Sequence, residues 1–293
     1  MEENKCFENG DLEKCKLFFE ENGIESLRKV DKYDRTLMYT VCEHGHLSIC
    51  KWLYEVGAGD DITKANCFGG TPMWIACECG HLSVCQWLLD VGASNDITKV
   101  DRFNFTPMYN ACANGHLSVC EWLYKVGAAK DITMVNKRGI TPMWVACVNG
   151  HLSVCKWLFE VGAATHITKA NNDGETPMFS ACDQGHLSVC KWLILNGAFE
   201  SSNTQTKKKI EKYRYELITW SSQIINEHNT FRLVFLPGTL CTEQRKCSSH
   251  LWMLNSNGTP FKELIAEYAG VEYGIHLRNV RKLAEALDNS HIF

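Results

Sequence analysis

Residues 71–93 read TPMWIACECGHLSVCQWLLDVGA, and the chain repeats this text with small changes along most of its length. GHLSIC starts at Gly45 and GHLSVC at Gly80, Gly115, Gly150 and Gly185, with a weaker copy, GDLEKC, at Gly10. TLMYTVC from Thr36, TPMWIAC from Thr71, TPMYNAC from Thr106, TPMWVAC from Thr141 and TPMFSAC from Thr176 keep the same 35-residue step. A fixed period in this range marks a solenoid, in which each unit packs only on its neighbours. It predicts a binding scaffold and does not name the partner.

The unit also predicts its own local structure. Thr71 before Pro72 is a helix start: the hydroxyl can accept from a free backbone N–H, and proline at the first helical position has none to lose. A short helix should run from Pro72 to Cys79, break at Gly80, and be followed by a second from about Leu82 to Val91, ended by Gly92 in the left-handed region. Asn22 stands at the equivalent of Gly92 in the first unit. Helices of about eight to ten residues are unstable alone in water, so stacking must hold them. The polar stretch before the next Thr-Pro, such as SNDITKVDRFNF (94–105), reads as an extended finger with tight turns at Asn66 and Gly69, Asp101 and Asn104, Asn136 and Gly139, and Asn171 and Gly174.

The period also answers for the cysteines. Of sixteen, Cys42, Cys77, Cys112, Cys147 and Cys182 share one repeat position, and Cys15, Cys50, Cys85, Cys120, Cys155 and Cys190 another. Neighbouring helix axes lie about 8–10 Å apart, whereas a disulfide wants Cα atoms within roughly 7 Å. Buried free thiols and a reducing compartment are therefore expected. Trp52, Trp87, Trp122, Trp157 and Trp192 read as core, each worth about 3–5 kcal/mol on truncation. The histidines His46, His81, His116, His151 and His186 stand one repeat apart, too far to share a metal, and read as turn and cap residues.

A net charge of −4 with interspersed signs speaks against a nucleic-acid or membrane-surface field. No apolar run of about 18 residues exists to span a bilayer. The opening MEENKCFENGDLEKC is too acidic for a signal peptide, so a cytoplasmic or nuclear location is expected. No Gly-rich phosphate loop, H-E-x-x-H or G-x-S-x-G appears, and neither an enzyme nor a cofactor nor a metal is expected.

TPMWxAC, xxGHLxVC and LLxxGA, in that order, resemble the ankyrin repeat, whose pattern is T-P-L-H-x-A-A, then G-H-L-x-V-V, then L-L-x-x-G-A. The resemblance covers residues 1 to about 200, with four full copies, a first copy lacking its Thr-Pro half, and Arg35-Thr36-Leu37 replacing one Thr-Pro start. It implies an all-α solenoid with short β-hairpin fingers. The capping repeat would occupy residues 1–30 and the others about 31–65, 66–100, 101–135, 136–170 and 171–200, with a small helical region at 201–293. Two departures stand out. The period exceeds the usual 33 by two residues, placed between Ala93 and Thr106, and Tyr39, Trp74, Tyr109, Trp144 and Phe179 replace the histidine of TPLH.

The resemblance implies binding of another protein, by a monomer, through the finger tips and the inner face of the first helices. Positions that vary among otherwise identical copies are not fixed by packing. They give the candidates Tyr33, Arg35, Phe68, Arg102, Phe103, Phe105, Lys137, Arg138, Ile140, Asp173 and Glu175 on the fingers, and His44, Glu78, Asn114, Asn149 and Asp183 on the first helices. Aromatics beside arginine are enriched at binding hot spots, so Phe103, Phe105 and Arg138 are expected to matter most.

Beyond Ala198 the repeat stops. Ile210, Tyr213, Leu217, Trp220 and Ile224 predict an amphipathic helix over 207–228, and Leu277, Val280, Leu283, Ala284 and Leu287 another over 275–288, after Gly274. Between them lie an apolar segment bent at Pro237-Gly238, a loop from Cys241 to His250, and a helix at 260–269. Such a region should cover the open end of the stack. Cys241, Cys247 and His250 fall one ligand short of a structural zinc site. PFKELIAEYAGV (260–271) resembles the opening helix of F-box-like adaptor domains over one amphipathic helix, which opens a second reading, a ubiquitin-ligase substrate adaptor.

Overall fold

The computed structural model describes residues 5–199, 212–235 and 271–288. They form two compact units, residues 1–186 and 187–293. Both are helical.

The first unit stacks helix pairs. Lys5–Asn9 (α1), Leu12–Asn22 (α2) and the short Ile24–Leu27 (α3) open it. Leu37–Glu43 (α4) with Leu47–Leu53 (α5), Pro72–Glu78 (α6) with Leu82–Asp90 (α7), Pro107–Ala113 (α8) with Leu117–Leu123 (α9), and Pro142–Val148 (α10) with Leu152–Leu158 (α11) follow, then Pro177–Gln184 (α12). The first helices pack on one another along the stack, α4 on α6, α6 on α8, α8 on α10 and α10 on α12. Every one of them is capped by its threonine. Thr36, Thr71, Thr106, Thr141 and Thr176 accept from the backbone N–H three residues on, at 3.0–3.2 Å.

Glycine and histidine join the copies. Gly45, Gly80, Gly115 and Gly150 end the first helices at φ +75 to +79°, and a Cβ on any of them would lie 2.4–2.5 Å from a ring atom of His81, His116, His151 or His186 in the next copy. The histidine ring thus fills the space a side chain would need. Its Nε2 reaches the previous copy's helix end: His81 to the Glu43 carbonyl at 3.0 Å and His151 to the Ala113 carbonyl at 3.0 Å. These residues do sit at helix N-caps, as expected, but their hydrogen bonds run between repeats.

The core is a layer of identical side chains. Met38, Met73, Met108 and Met143 are fully buried, as are Leu53, Leu88, Leu123 and Leu158. The paired cysteines lie beside them. Cys42 and Cys50, Cys77 and Cys85, Cys112 and Cys120, and Cys147 and Cys155 bring their Sγ atoms to 3.5–3.8 Å. They are closer than helix spacing alone suggests, because both side chains point into the seam between the two helices of one copy. All described cysteines are free thiols. Burial raises the thiol pKa of Cys42, Cys77 and Cys112 well above its usual value, which keeps them protonated.

Four details depart from expectation. The tryptophans are half-buried rather than core: Trp52, Trp87 and Trp157 stand edge-on to Phe19, Tyr54 and Tyr124 of the preceding copy at 5.8–6.0 Å. Asn22 stays helical, its side chain donating to the Phe18 carbonyl, and Gly23 takes the positive φ instead. The Asp-Ile-Thr segments, His-Ile-Thr in the last copy, are not part of an extended finger. They form 3-10 turns, Gly59–Thr63, Ser94–Ile97, Ala129–Thr133 and Ala164–Thr168, that bury Ile62, Ile97, Ile132 and Ile167. The extra residues of the long period therefore wind into a helical turn beneath the finger, where isoleucine finds an apolar seat. Finally, the fingers contain no strand among the described residues, so the β-hairpins are replaced by side-chain-closed turns.

In the second unit, Leu187–Leu195 (α13), Arg214–Phe235 (α14) and Val271–Asp288 (α15) pack together. Leu193, Ile194, Leu217, Val280 and Leu283 are buried between them, and Asn279 donates through Nδ2 to the Leu195 carbonyl at 2.7 Å. α14 runs past the predicted end at 228 to Phe235, and residues 207–211, with Ile210, lie outside the described residues. α15 begins at Val271, so Gly274 is inside it rather than before it. Pro237-Gly238, Cys241, Cys247, His250 and residues 260–270 lie outside the described residues, and with them the zinc and F-box-like expectations.

Candidate protein-binding face

Each finger is held by the first residue of its turn. The Asn66 Oδ1 accepts from the N–H groups of Phe68 and Gly70, both at 2.9 Å, and Asp101, Asn136, Asn171 and Asp31 do the same in their copies. The fourth residue takes the left-handed conformation, as Asp34 (φ 59°), Gly69, Asn104 (φ 69°), Gly139 and Gly174. Asparagine, aspartate and glycine are the residues that tolerate it. One backbone bond links each finger to the next: Cys67 N–H to Tyr33 O, Arg102 to Phe68, Lys137 to Phe103 and Asn172 to Arg138, at 2.9–3.3 Å. A single bond per pair makes a row of turns rather than a ladder of strands.

The aromatic residues in the histidine place of the family pattern brace the fingers from below. Trp74 Nε1 donates to the Phe105 carbonyl at 3.1 Å, and Trp144 Nε1 to the Glu175 carbonyl at 3.0 Å. Tyr109 stacks on Phe105 with ring centres 4.8 Å apart, and burial lifts its hydroxyl pKa to about 12. Above them the tips present an alternating surface. Arg102 lays its guanidinium over Phe68 at 4.2 Å and over Phe103 at 4.7 Å, and the Tyr33 ring lies 6.0 Å from Phe68.

A family model described as ankyrin repeats (3 copies) matches residues 4–101, 37–134 and 108–205, together spanning more than half of the chain. The chain is an ankyrin-repeat protein. No curated protein matches it. Ankyrin repeats generally mediate protein–protein interaction. No helix among the described residues of this ankyrin-repeat protein is long and apolar enough to cross a membrane.

Its candidate residues fall into three groups. Tyr33, Arg102, Phe103, Lys137, Arg138 and Asp173 are exposed on the finger tips, Arg138 and Asp173 as an ion pair at 2.9 Å. His44, Asn114, Asn149 and Asp183 are exposed at the ends of the first helices; Asn114 bonds the Asn110 carbonyl of its own helix and Asn149 the Ala113 carbonyl of the neighbouring one. The rest are partly or wholly spent on structure. Arg35 pairs with Asp31 at 2.7 Å and Glu43 at 3.2 Å, and Phe68 and Phe105 are half-buried. Glu175 accepts from the Asn171 side chain. Ile140 is only 7% exposed and packs with Tyr109, Trp144 and Val145, which removes it from the surface. An apolar residue just before a threonine cap faces the helices, not solvent.

Glu78 is half-buried on the inner face, where burial and then the nearby charges of Glu43 and Asp101 raise its pKa. Lys32, which also varies from copy to copy, is exposed at the tip position shared by Arg102 and Lys137. Buried Asp61, Asp96 and Asp131 of the 3-10 turns are a second feature hidden from sequence. Lys64 and Lys99 pair with the first two at 3.7 and 3.4 Å, but Met134 stands where Asp131 would find its lysine. The Oδ2 atoms of Asp96 and Asp131 are both buried without a hydrogen-bond partner, but only Asp131 also lacks a lysine to offset burial, which pushes its carboxyl up to about 6.

Proposed function

We propose that this ankyrin-repeat protein is an interaction scaffold that holds a partner protein against its finger tips and first-helix ends. One observation carries the reading: the positions that differ from copy to copy, Tyr33, Arg102, Phe103, Lys137, Arg138 and Asp173, are exposed, whereas the positions identical between copies supply the buried layers. Packing therefore does not account for the variation. The fingers are also held in place before any partner arrives, which lowers the ordering cost of association.

The test is a combined Phe103→Ala, Arg138→Ala and Asn114→Arg variant used as bait beside the native chain, with captured proteins identified by mass spectrometry. Loss of one discrete partner, at an unchanged melting temperature, is the expected result. An identical set of captured proteins would reject this face. Phe105 is left out because its stack on Tyr109 ties it to stability.

A further inference from the structure

We infer that the finger tips of the first four repeats bind an extended acidic segment of a partner protein, its carboxylates meeting Lys32, Arg102 and Lys137 and its apolar side chains resting on Tyr33, Phe68 and Phe103. The inference rests on the scaffold reading and names the partner's chemistry. Two columns of the repeat make the surface. The second residue of each finger turn is Lys32, Cys67, Arg102 or Lys137, and the third is Tyr33, Phe68, Phe103 or Arg138. Cation and aromatic thus stand side by side at two of the four steps, Lys32 with Tyr33 and Arg102 with Phe103, while Phe68 and Lys137 add one ring and one cation.

Charge complementarity decides the sign of the occupant. Arg138 is neutralised by Asp173, and Arg35 by Asp31 and Glu43. Lys32, Arg102 and Lys137 are exposed, and among the described residues no carboxylate forms an ion pair with them. Arg102 lies over the Phe68 and Phe103 rings and is exposed, so its guanidinium can meet a carboxylate, which it recognises bidentately. Tyr33 at 39% and Phe103 at 43% are among the few exposed large apolar side chains.

Spacing fixes the extended form. Neighbouring copies stack at about the 8–10 Å separation of packed helices. An extended chain advances about 3.3–3.6 Å per residue, so a carboxylate about every third residue keeps step with the fingers. A single nucleic-acid strand also likes aromatics beside cations. It needs a continuous positive track, and here the cation column is broken by Cys67 and Arg138 is neutralised by Asp173. The acidic peptide is the better match.

Fluorescence anisotropy with the full chain tests this. The probe is a labelled twelve-residue peptide, (Glu-Leu-Pro)4, compared with its Gln and Lys counterparts and with a labelled oligothymidine. Binding of the Glu peptide alone is expected, weakening several-fold as salt rises from about 50 to 300 mM. Arg102→Ala with Lys137→Ala should weaken it at least about tenfold, with an unchanged melting curve, since neither side chain closes its finger. Absence of Glu-peptide binding, equal binding of the Gln peptide, preference for oligothymidine, or indifference to the double substitution would each overturn the inference. If the Phe103/Arg138/Asn114 variant still loses a partner while the Glu peptide does not bind, the scaffold reading stands and the acidic chemistry falls.

Discussion

Within one repeat the histidine end and the finger end follow opposite rules. At the histidine end, Gly115 and His151 leave no room for any other pair, because a Cβ on the glycine would lie 2.5 Å from the ring. At the finger end, Asp101 closes the turn with its own carboxylate and frees the next two residues, Arg102 and Phe103, to be anything. Close packing makes one end repeat without change. Local closure by a side chain lets the other end vary without loss of shape, and recognition is placed there.

Substitutions at the two ends should separate by size. Met108→Ala, in the fully buried layer, should cost about 2–5 kcal/mol in chemical denaturation, and a cost under about 1 kcal/mol would show a core able to collapse around the gap. Gly115→Ala should cost upward of about 2 kcal/mol, from the forced left-handed backbone and the push on His151, measured the same way.

Asp131 gives an intermediate effect that depends on pH. Its folded pKa of about 6 lies above the unfolded value, so the fold favours the protonated form. That stabilisation is full below about pH 4 and fades as pH rises through about 6, removing on the order of 1–3 kcal/mol by neutrality. Asp131→Asn should flatten this slope between pH 4 and 7 in urea denaturation. Met134→Lys should do so in part, by restoring the pairing that Lys99 gives Asp96. Equal slopes in native chain and Asn variant would contradict the assignment. Smallest of all, Phe103→Ala and Arg138→Ala should each change stability by no more than about 0.5 kcal/mol while altering what the chain binds.

The same division explains what was legible in the sequence. Thr71-Pro72, Gly80 and His81 announce themselves because each answers a local demand: a free N–H, a left-handed residue, a cap. The direction of the His81 hydrogen bond, back to Glu43, was not legible, since it depends on how copies stack. Trp87 reads as core because it takes a leucine position of the family's second helix, yet the larger ring stays half-buried and stands edge-on to Tyr54 of the preceding copy. Asp96 and Ile97 read as finger because their neighbours are polar. The structure winds them into a turn, where the isoleucine is buried and the aspartate follows it inward. Of the candidate face, exposure of the varying tip positions was readable, but the loss of Ile140 to packing was not.

The glycine–histidine joint has a consequence for how such a chain can change. Each copy offers a socket at its trailing side and a plug at its leading side, and all the plugs are alike. Excising residues 101–135 would leave Gly80 facing His151, a mate of the same shape as the His116 it lost. Copies can therefore be cut out, inserted or exchanged as whole modules. The length of the stack and the order of its tips can be edited without redesigning a single interface.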